Sequence, residues 1–325
     1  MTQPHTLPFP LDLDGKPRRV GVEIEFAELG LPRISAIIVE QFGGRTQYEN
    51  DCEMRVVGTR LGDFNVEVDS EPLKTLAKKR RRGRVLGLME RVKGALLGSI
   101  AGTLTPYEIT TAPLLIEQLT ELDRLCQALR RAGARGTEDS ILNVFGVHFN
   151  PSTPTRDPLV LRDFIRAAAL LHDELVERGH MDISRRAVGY AKPYPTSYLR
   201  VLLADDYEPD LPQLIDDYMA HNSRNRAVDM LPLFAYLDRE RVQAGVSDTR
   251  VKARPTFHYR LPNSRVSDPS WSLSAEWQQW LLLEQLAADR SRQREMMAHA
   301  REQLDHILPT RDAANQGGTE LEARG

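Results

Sequence analysis

Residues 19–27 read Arg-Val-Gly-Val-Glu-Ile-Glu-Phe-Ala, and no other stretch constrains the fold as tightly. Val20, Val22, Ile24 and Phe26 fall on one face of a strand, with Gly21, Glu23 and Glu25 on the other. The apolar face must be buried, so the strand belongs to a sheet with a core on one side. Glu23 and Glu25 then project side by side, roughly 6.5–7 Å apart along the strand. Like charges at that range repel unless a cation lies beside or between them. The pair is either a solvated strand face or a place for Mg²⁺, which takes one or two carboxylates per ion and fills its shell with phosphate oxygens and water.

Other segments offer the same kind of polar face. After turn signals at Asn50-Asp51 and Gly58, residues Asp63 to Asp69 alternate, with Phe64, Val66 and Val68 opposed to Asp63, Asn65, Glu67 and Asp69. In Leu104 to Thr111, Glu108 and Thr110 oppose Tyr107, Ile109 and Thr111. In Ile141 to Asn150, closed by Pro151, His148 and Asn150 oppose Phe145, Val147 and Phe149. In Thr256 to Leu261, His258 and Arg260 oppose Phe257 and Tyr259.

Helical spacing is predicted from Pro32 to Phe42, ending at Gly43-Gly44, across about 84–97, and from Pro113 to about Ala132. It continues from Asp157 to about Asp238, interrupted by prolines, and over one long helix from Leu273 to Ile307, where Trp277 and Trp280 read as packing residues. Most strands precede most helices. The expected fold class is therefore α+β, a mostly antiparallel sheet with helices on one face. Residues 1–17 read as an irregular lead-in, 18–308 as one domain and 309–325 as a polar, disordered tail.

The formal net charge of −3 argues against nucleic acid as the main ligand. The one basic block, residues 78–84, is a solvated segment or a local phosphate or partner patch. Cys52 and Cys126 form no disulfide scaffold and have no zinc-ligand spacing, which fits a reducing cytoplasm. The first ten residues carry three prolines and no apolar core, unlike a signal peptide. The weakly polar run Gly94 to Leu104 is too short to span a bilayer.

Gathered together, Glu23, Glu25, Asp69, Glu108, His148, Asn150, His258 and Arg260 all project from the polar side of the expected sheet. Clustered charges cost desolvation unless they are paired. A metal–nucleotide complex supplies cations for the carboxylates and phosphates for Arg260. Arg224 and Arg226 are either solvated arginines at a helix start or ligands for phosphate or carboxylate. Lys192 is a loop lysine or a substrate contact.

The motifs GVEIEF around Glu23 and Glu25, VEVDSE around Asp69, YEITTAPL around Glu108, FGVHFNP around His148 and FHYRLPNSR around Arg260, with NSRNRAVDMLPLFAYLD from Asn222, occur in one order over most of residues 18–290. In that order the chain resembles the amidoligase family of carboxylate–amine ligases. The resemblance implies the catalytic fold shared by glutamine synthetase, glutamate–cysteine ligase and the guanidino kinases. It also implies ATP- and Mg²⁺-dependent amide formation through an acyl phosphate, on an amino acid, peptide or small metabolite, and a glutamine amidotransferase-like partner. By position it implies metal ligands at Glu23, Glu25, Glu108 and His258. Nucleotide contacts would come from His148, Asn150, Arg260, Arg224 and Arg226, and catalytic roles fall to Arg260, His258 and Asp69. The chain departs from the family's Glu-x-Arg on the last strand, reading His258-Tyr259-Arg260. An imidazole there holds Mg²⁺ more weakly or has another task. That departure leaves two further readings: phosphotransfer to a nitrogen acceptor on the same fold, or a non-catalytic binding protein on a decayed scaffold.

Overall fold

The computed structural model describes residues 7–69, 105–137, 145–179, 192–222, 226–245 and 251–307. The helix expected across 84–97, the basic block, Arg224 and the polar tail lie outside the described residues. Strands β1 (Arg19–Ala27), β2 (Arg45–Asn50), β3 (Glu53–Thr59), β4 (Gly62–Val68), β5 (Pro106–Thr111), β6 (Leu114–Leu115), β7 (Val147–Pro151), β8 (Val228–Asp229) and β9 (His258–Tyr259) form one sheet. Its order is β2-β3-β4-β5-β1-β7-β9-β8, with β6 on β1, and every strand pairing among the described residues is antiparallel. β1 thus lies mid-sheet, between β5 and β7. The α+β class expected from the sequence is the one observed.

The alternation in β1 does what its pattern requires. Val20, Val22, Ile24 and Phe26 are fully buried and continue into Val56, Phe64, Val66, Ile109, Val147 and Phe149 on neighbouring strands. Helix α1 (Leu31–Phe42) lays Ile34, Ile37, Ile38 and Phe42 on this core, where Phe42 stacks on Phe64 with ring centroids 5.5 Å apart. It ends at two glycines. A Cβ on Gly44, whose φ is +86°, would meet the Val57 carbonyl oxygen at 2.6 Å, so only glycine passes there without strain.

Helices α2 (Leu119–Arg131), α3 (Pro158–Leu170), α4 (His172–Arg178) and α9 (Leu273–Ala288) complete the apolar layer. Phe164 of α3, Phe257, and Trp277 and Trp280 of α9 form an aromatic cluster with Phe149 and Tyr259 beneath the centre of the sheet. Helices α5 (Thr196–Leu202), α6 (Leu211–His221), α7 (Leu231–Leu237) and α8 (Arg239–Gly245) gather near β8, where the Tyr194 hydroxyl donates to the Val228 carbonyl at 2.8 Å. A buried ion pair, Arg18 to Glu284 at 2.5 Å, joins the start of β1 to α9, and Trp280 Nε1 donates to the other oxygen of Glu284 at 2.9 Å.

Four expectations are corrected. The helix expected from Pro113 begins at Leu119, because residues 114–118 first pair with β1 as β6 and then make a 3₁₀ turn. The helical block up to Asp238 contains strand β8, which pairs with β9. The strand expected over Thr256 to Leu261 is only the two residues of β9. The long terminal helix is two, α9 and α10 (Arg290–Ile307), broken at Asp289, whose carboxylate accepts from the Arg292 amide at 3.0 Å. Cys52 and Cys126 are free and buried, and burial pushes the Cys126 thiol well up. No helix among the described residues is long and apolar enough to cross a membrane.

Candidate active site

Strand register arranges the polar face in rows. In one row Glu53 of β3 lies opposite Glu67 of β4, Glu67 opposite Glu108 of β5, and Glu108 opposite Glu25 of β1. Adjacent strands are about 4.8 Å apart, so this row brings carboxylates from four consecutive strands together. A second row runs Arg55, Asn65, Thr110, Glu23, His148. Phe149 pairs with Tyr259, which brings His148 beside Arg260 and Asn150 beside His258 on the far side of β1. Acid therefore dominates one end of the face and imidazole the other.

Glu23 sits where the two ends meet. His148 Nδ1 lies 2.9 Å from its Oε2, Asn150 Nδ2 donates to its Oε1 at 3.0 Å, and Arg254 Nη1 reaches the same oxygen at 3.4 Å. Burial acts to raise the Glu23 pKa, but the His148 hydrogen bond and the electrostatic influence of the His258, His148 and Arg254 side chains outweigh it and hold the carboxyl well below the usual range. An ionised carboxylate only accepts hydrogen bonds, so His148 carries its proton on Nδ1 and Asn150 turns its amide nitrogen toward Glu23. The Asn150 oxygen then faces His258 Nδ1, 2.8 Å away, and that nitrogen must carry a proton too. Burial, joined by the charges of His148, Arg260 and Arg254 and opposed by Glu23, keeps His258 neutral by pushing its pKa well down. One carboxylate thus orients both rings, directly for His148 and through Asn150 for His258.

His148 Nε2 is buried without a hydrogen-bond partner, 3.8 Å from Glu25 Oε1, and the His148 side chain is only 8% exposed. A buried ring nitrogen that meets no hydrogen-bond partner and faces a carboxylate fits a cation between them. Glu25 itself is buried, and its Oε2 accepts from the Gly146 amide at 2.7 Å. Glu108 carries the electrostatic conflict of the row. Burial first, then the charges of Glu23, Glu25, Asp69 and Glu67, raise its pKa well above the carboxylate range.

Asp69 ends the strand run, its amide donating to the Pro106 carbonyl at 3.0 Å, so it stands near Glu108. Arg260 is buried, with its amide donating to the Ala227 carbonyl at 2.9 Å. Arg226 is buried and spends Nη1 on the Pro193 carbonyl at 2.6 Å, while Lys192, bridged to it through the backbone, is exposed. The face therefore brings together Glu23, Glu25, Glu108, His148, Asn150, His258, Arg260 and Asp69. Arg226 lies one residue before Ala227, whose carbonyl holds Arg260.

Residues 16–282, the span that contains every one of these groups, match the family described as "Putative amidoligase enzyme". The chain belongs to the amidoligase family. No curated protein matches it.

The polar face of this amidoligase also includes residues that its sequence did not single out. Arg254 comes from an irregular segment with no periodicity to mark it, and Gly146 acts through its backbone. Glu67 falls on the polar face by alternation, and Glu53 joins it only once the β3–β4 register is known. The donor set of the amidoligase face fits divalent cations. Oxygens of Glu25, Glu108 and Glu67 suit a hard ion, and a nitrogen of His148, a nitrogen of His258 and an oxygen of Glu23 lie within 4.8 Å of one another.

Proposed function

We propose that this amidoligase joins a carboxylate to an amine using ATP, with divalent cations and the nucleotide phosphates held on the polar face of the sheet. The observation that carries the reading is the in-register row Glu53–Glu67–Glu108–Glu25, which ends against the unbonded Nε2 of His148. Crowding that much like charge on a face where Glu25 is buried and Glu53, Glu67 and Glu108 are half-buried is unfavourable without cations, and the family reading supplies a use for them. Mg²⁺–ATP would provide the phosphoryl group that makes a carboxylate, otherwise a poor electrophile, into an acyl phosphate that an amine can attack.

The protein's own part is binding and orientation. Glu25 and Glu108 would hold metal, with Glu67 and Asp69 adding negative charge that tightens it. Arg260, whose backbone is anchored by the Ala227 carbonyl just before β8, and Arg254, whose side chain is 40% exposed, would take phosphate oxygens. Arg254 is the natural group to exchange partners, because a cation near Glu23 removes the reason for its 3.4 Å contact. The carboxylate and the amine would be selected by segments outside the sheet face.

The test is calorimetry of Mg²⁺–ATP binding to the wild type and to Glu25→Gln, followed by ADP release across pairs of carboxylates and amines. Mg²⁺-dependent binding weakened by about tenfold or more in the variant, with ADP and free phosphate formed only when both substrates are present, is the expected result. Phosphate left on a nitrogen acceptor would make the protein a phosphotransferase. ATP binding equal in both proteins would remove the metal site from β1.

A further inference from the structure

We propose that Gly21 is the floor of a nucleoside subsite, across which the sugar and base of the bound nucleotide run from the phosphate-binding part of the face toward Tyr236 and Arg156. The inference rests on the reading of the face as a nucleotide site and adds which end of it takes the base.

Among the described residues nothing requires glycine at position 21. It lies inside β1, pairs with Asn150 of β7 and is half-buried on the same face as Glu23. Its φ is not positive, so the backbone accepts any L-residue. A Cβ built on it would meet Asn150 Cβ at 3.6 Å and Asn150 Nδ2 at 3.9 Å, ordinary contact distances. Gly44 is the contrast, since its φ and the Val57 carbonyl both demand glycine. Glycine inside a strand weakens it, and where neither backbone nor packing demands one it marks close approach by a ligand.

The neighbours of Gly21 decide which half of the nucleotide passes it. Gly21 is two residues before Glu23 on the same face, so it lies roughly 6.5–7 Å beyond Glu23 on the side away from Glu25. With metal and phosphates at Glu25, Glu108 and Arg260, the uncharged half of the nucleotide falls to the Gly21 side. Arg254 stands at that end too, because residues 254–256 run beside Ser152 and Thr153, and the Ser152 amide bonds the Arg19 carbonyl at the start of β1. The Arg254 amide donates to the Pro232 carbonyl of α7 at 3.0 Å. One turn further along α7, about 6 Å, is Tyr236. This helix is buried from Leu231 to Ala235, yet Tyr236 is 43% exposed, and the exposed Arg156 holds its guanidinium carbon 5.9 Å from the ring centre. An exposed ring beside an arginine is a stacking platform for a nucleobase.

The experiment is calorimetry of Mg²⁺–ATP and of Mg²⁺–tripolyphosphate, which carries the phosphates without the nucleoside. It is run on the full-length wild type, Gly21→Ala, Gly21→Val, Tyr236→Ala and Glu25→Gln, with melting curves of the apoproteins. Gly21→Ala should melt at or above the wild type, because a methyl group fits there and alanine has less chain entropy to lose. The two Gly21 variants should weaken ATP progressively, Gly21→Val by about tenfold or more, while tripolyphosphate stays within about twofold. Tyr236→Ala should weaken ATP by about fivefold or more and spare tripolyphosphate. Glu25→Gln should weaken both ligands. ATP affinity unchanged in Gly21→Val or in Tyr236→Ala, an equal loss for both ligands, or a lower melting point in Gly21→Ala would overturn the subsite. Glu25-dependent ATP binding alongside any of these results would leave the nucleotide reading standing. A wild type that binds neither ligand would remove the nucleotide reading and the subsite together.

Discussion

At the scale of single residues, Glu108 is where the site's electrostatics can be measured without knowing a substrate. Its pKa is raised in the fold by burial first and then by the surrounding carboxylates. A raised carboxyl pKa favours the fold fully below the unfolded value of about 4.3, and that contribution is lost as pH climbs through the folded value. Glu108→Gln removes the penalty because an amide stays neutral. Its apoprotein should therefore melt higher than the wild type, by a margin that widens as pH rises from about 4 toward neutrality, and divalent cations should stabilise it less. Parallel melting curves for the two proteins across that range would contradict the assignment. A second prediction concerns Arg254. Arg254→Met should leave the fold intact, because the side chain is 40% exposed, and should weaken Mg²⁺–ATP binding while sparing metal binding without nucleotide. Calorimetry with metal alone and with metal plus nucleotide separates the two.

Much of this was legible from residue alternation, for a definite reason. Side chains on a strand repeat every second residue, so the sequence tells which face Glu23, Glu25, Glu108, His148, Asn150, His258 and Arg260 occupy. It does not tell which residue lies opposite which, because register depends on turn lengths and bulges. The row of glutamates thus appears only with the pairing of β3, β4, β5 and β1, and Glu53 with it. Arg254 had no pattern to betray it, since an irregular segment places its side chain by tertiary contact alone.

At the scale of elements, two junctions hold the sheet in the form the site needs. Arg18 and Glu284 are both almost fully buried, at 1% and 0% side-chain exposure, and join the start of β1 to α9. Glu284→Ala leaves the guanidinium without its counter-charge and frees Trp280 Nε1, so it should cost about 3–5 kcal/mol, read as a lowered urea midpoint. At the other junction Gly44 has φ +86° and its missing Cβ would lie 2.6 Å from the Val57 carbonyl and 3.1 Å from Thr59. Gly44→Ala should destabilise by about 1–3 kcal/mol, and a midpoint equal to wild type would mean that the turn relaxes freely. Element boundaries were the least legible part of the sequence. Pro113 looks like a helix start, yet Leu114 and Leu115 gain more by pairing with β1 and burying Leu114. Nothing periodic marks a two-residue strand such as β8 or β9, which exists because β7 offers an edge to extend.

At the scale of the whole molecule, the sheet order makes the site a long-range assembly. Glu23 meets His148 across 125 positions and Arg254 across 231, and Asn150 meets His258 across 108. Contacts that close such long loops form late, because closure entropy precedes their reward. Divalent cation should therefore slow unfolding and leave refolding rates nearly unchanged, which stopped-flow chevrons with and without metal will decide. The same spacing sets a clock during synthesis. At about 5–20 residues per second, the acidic strand β1 leaves the ribosome roughly 10–50 s before Arg254 exists. Through that interval the nascent chain must shelter an apolar face and a pair of uncompensated carboxylates whose later partners have yet to be translated.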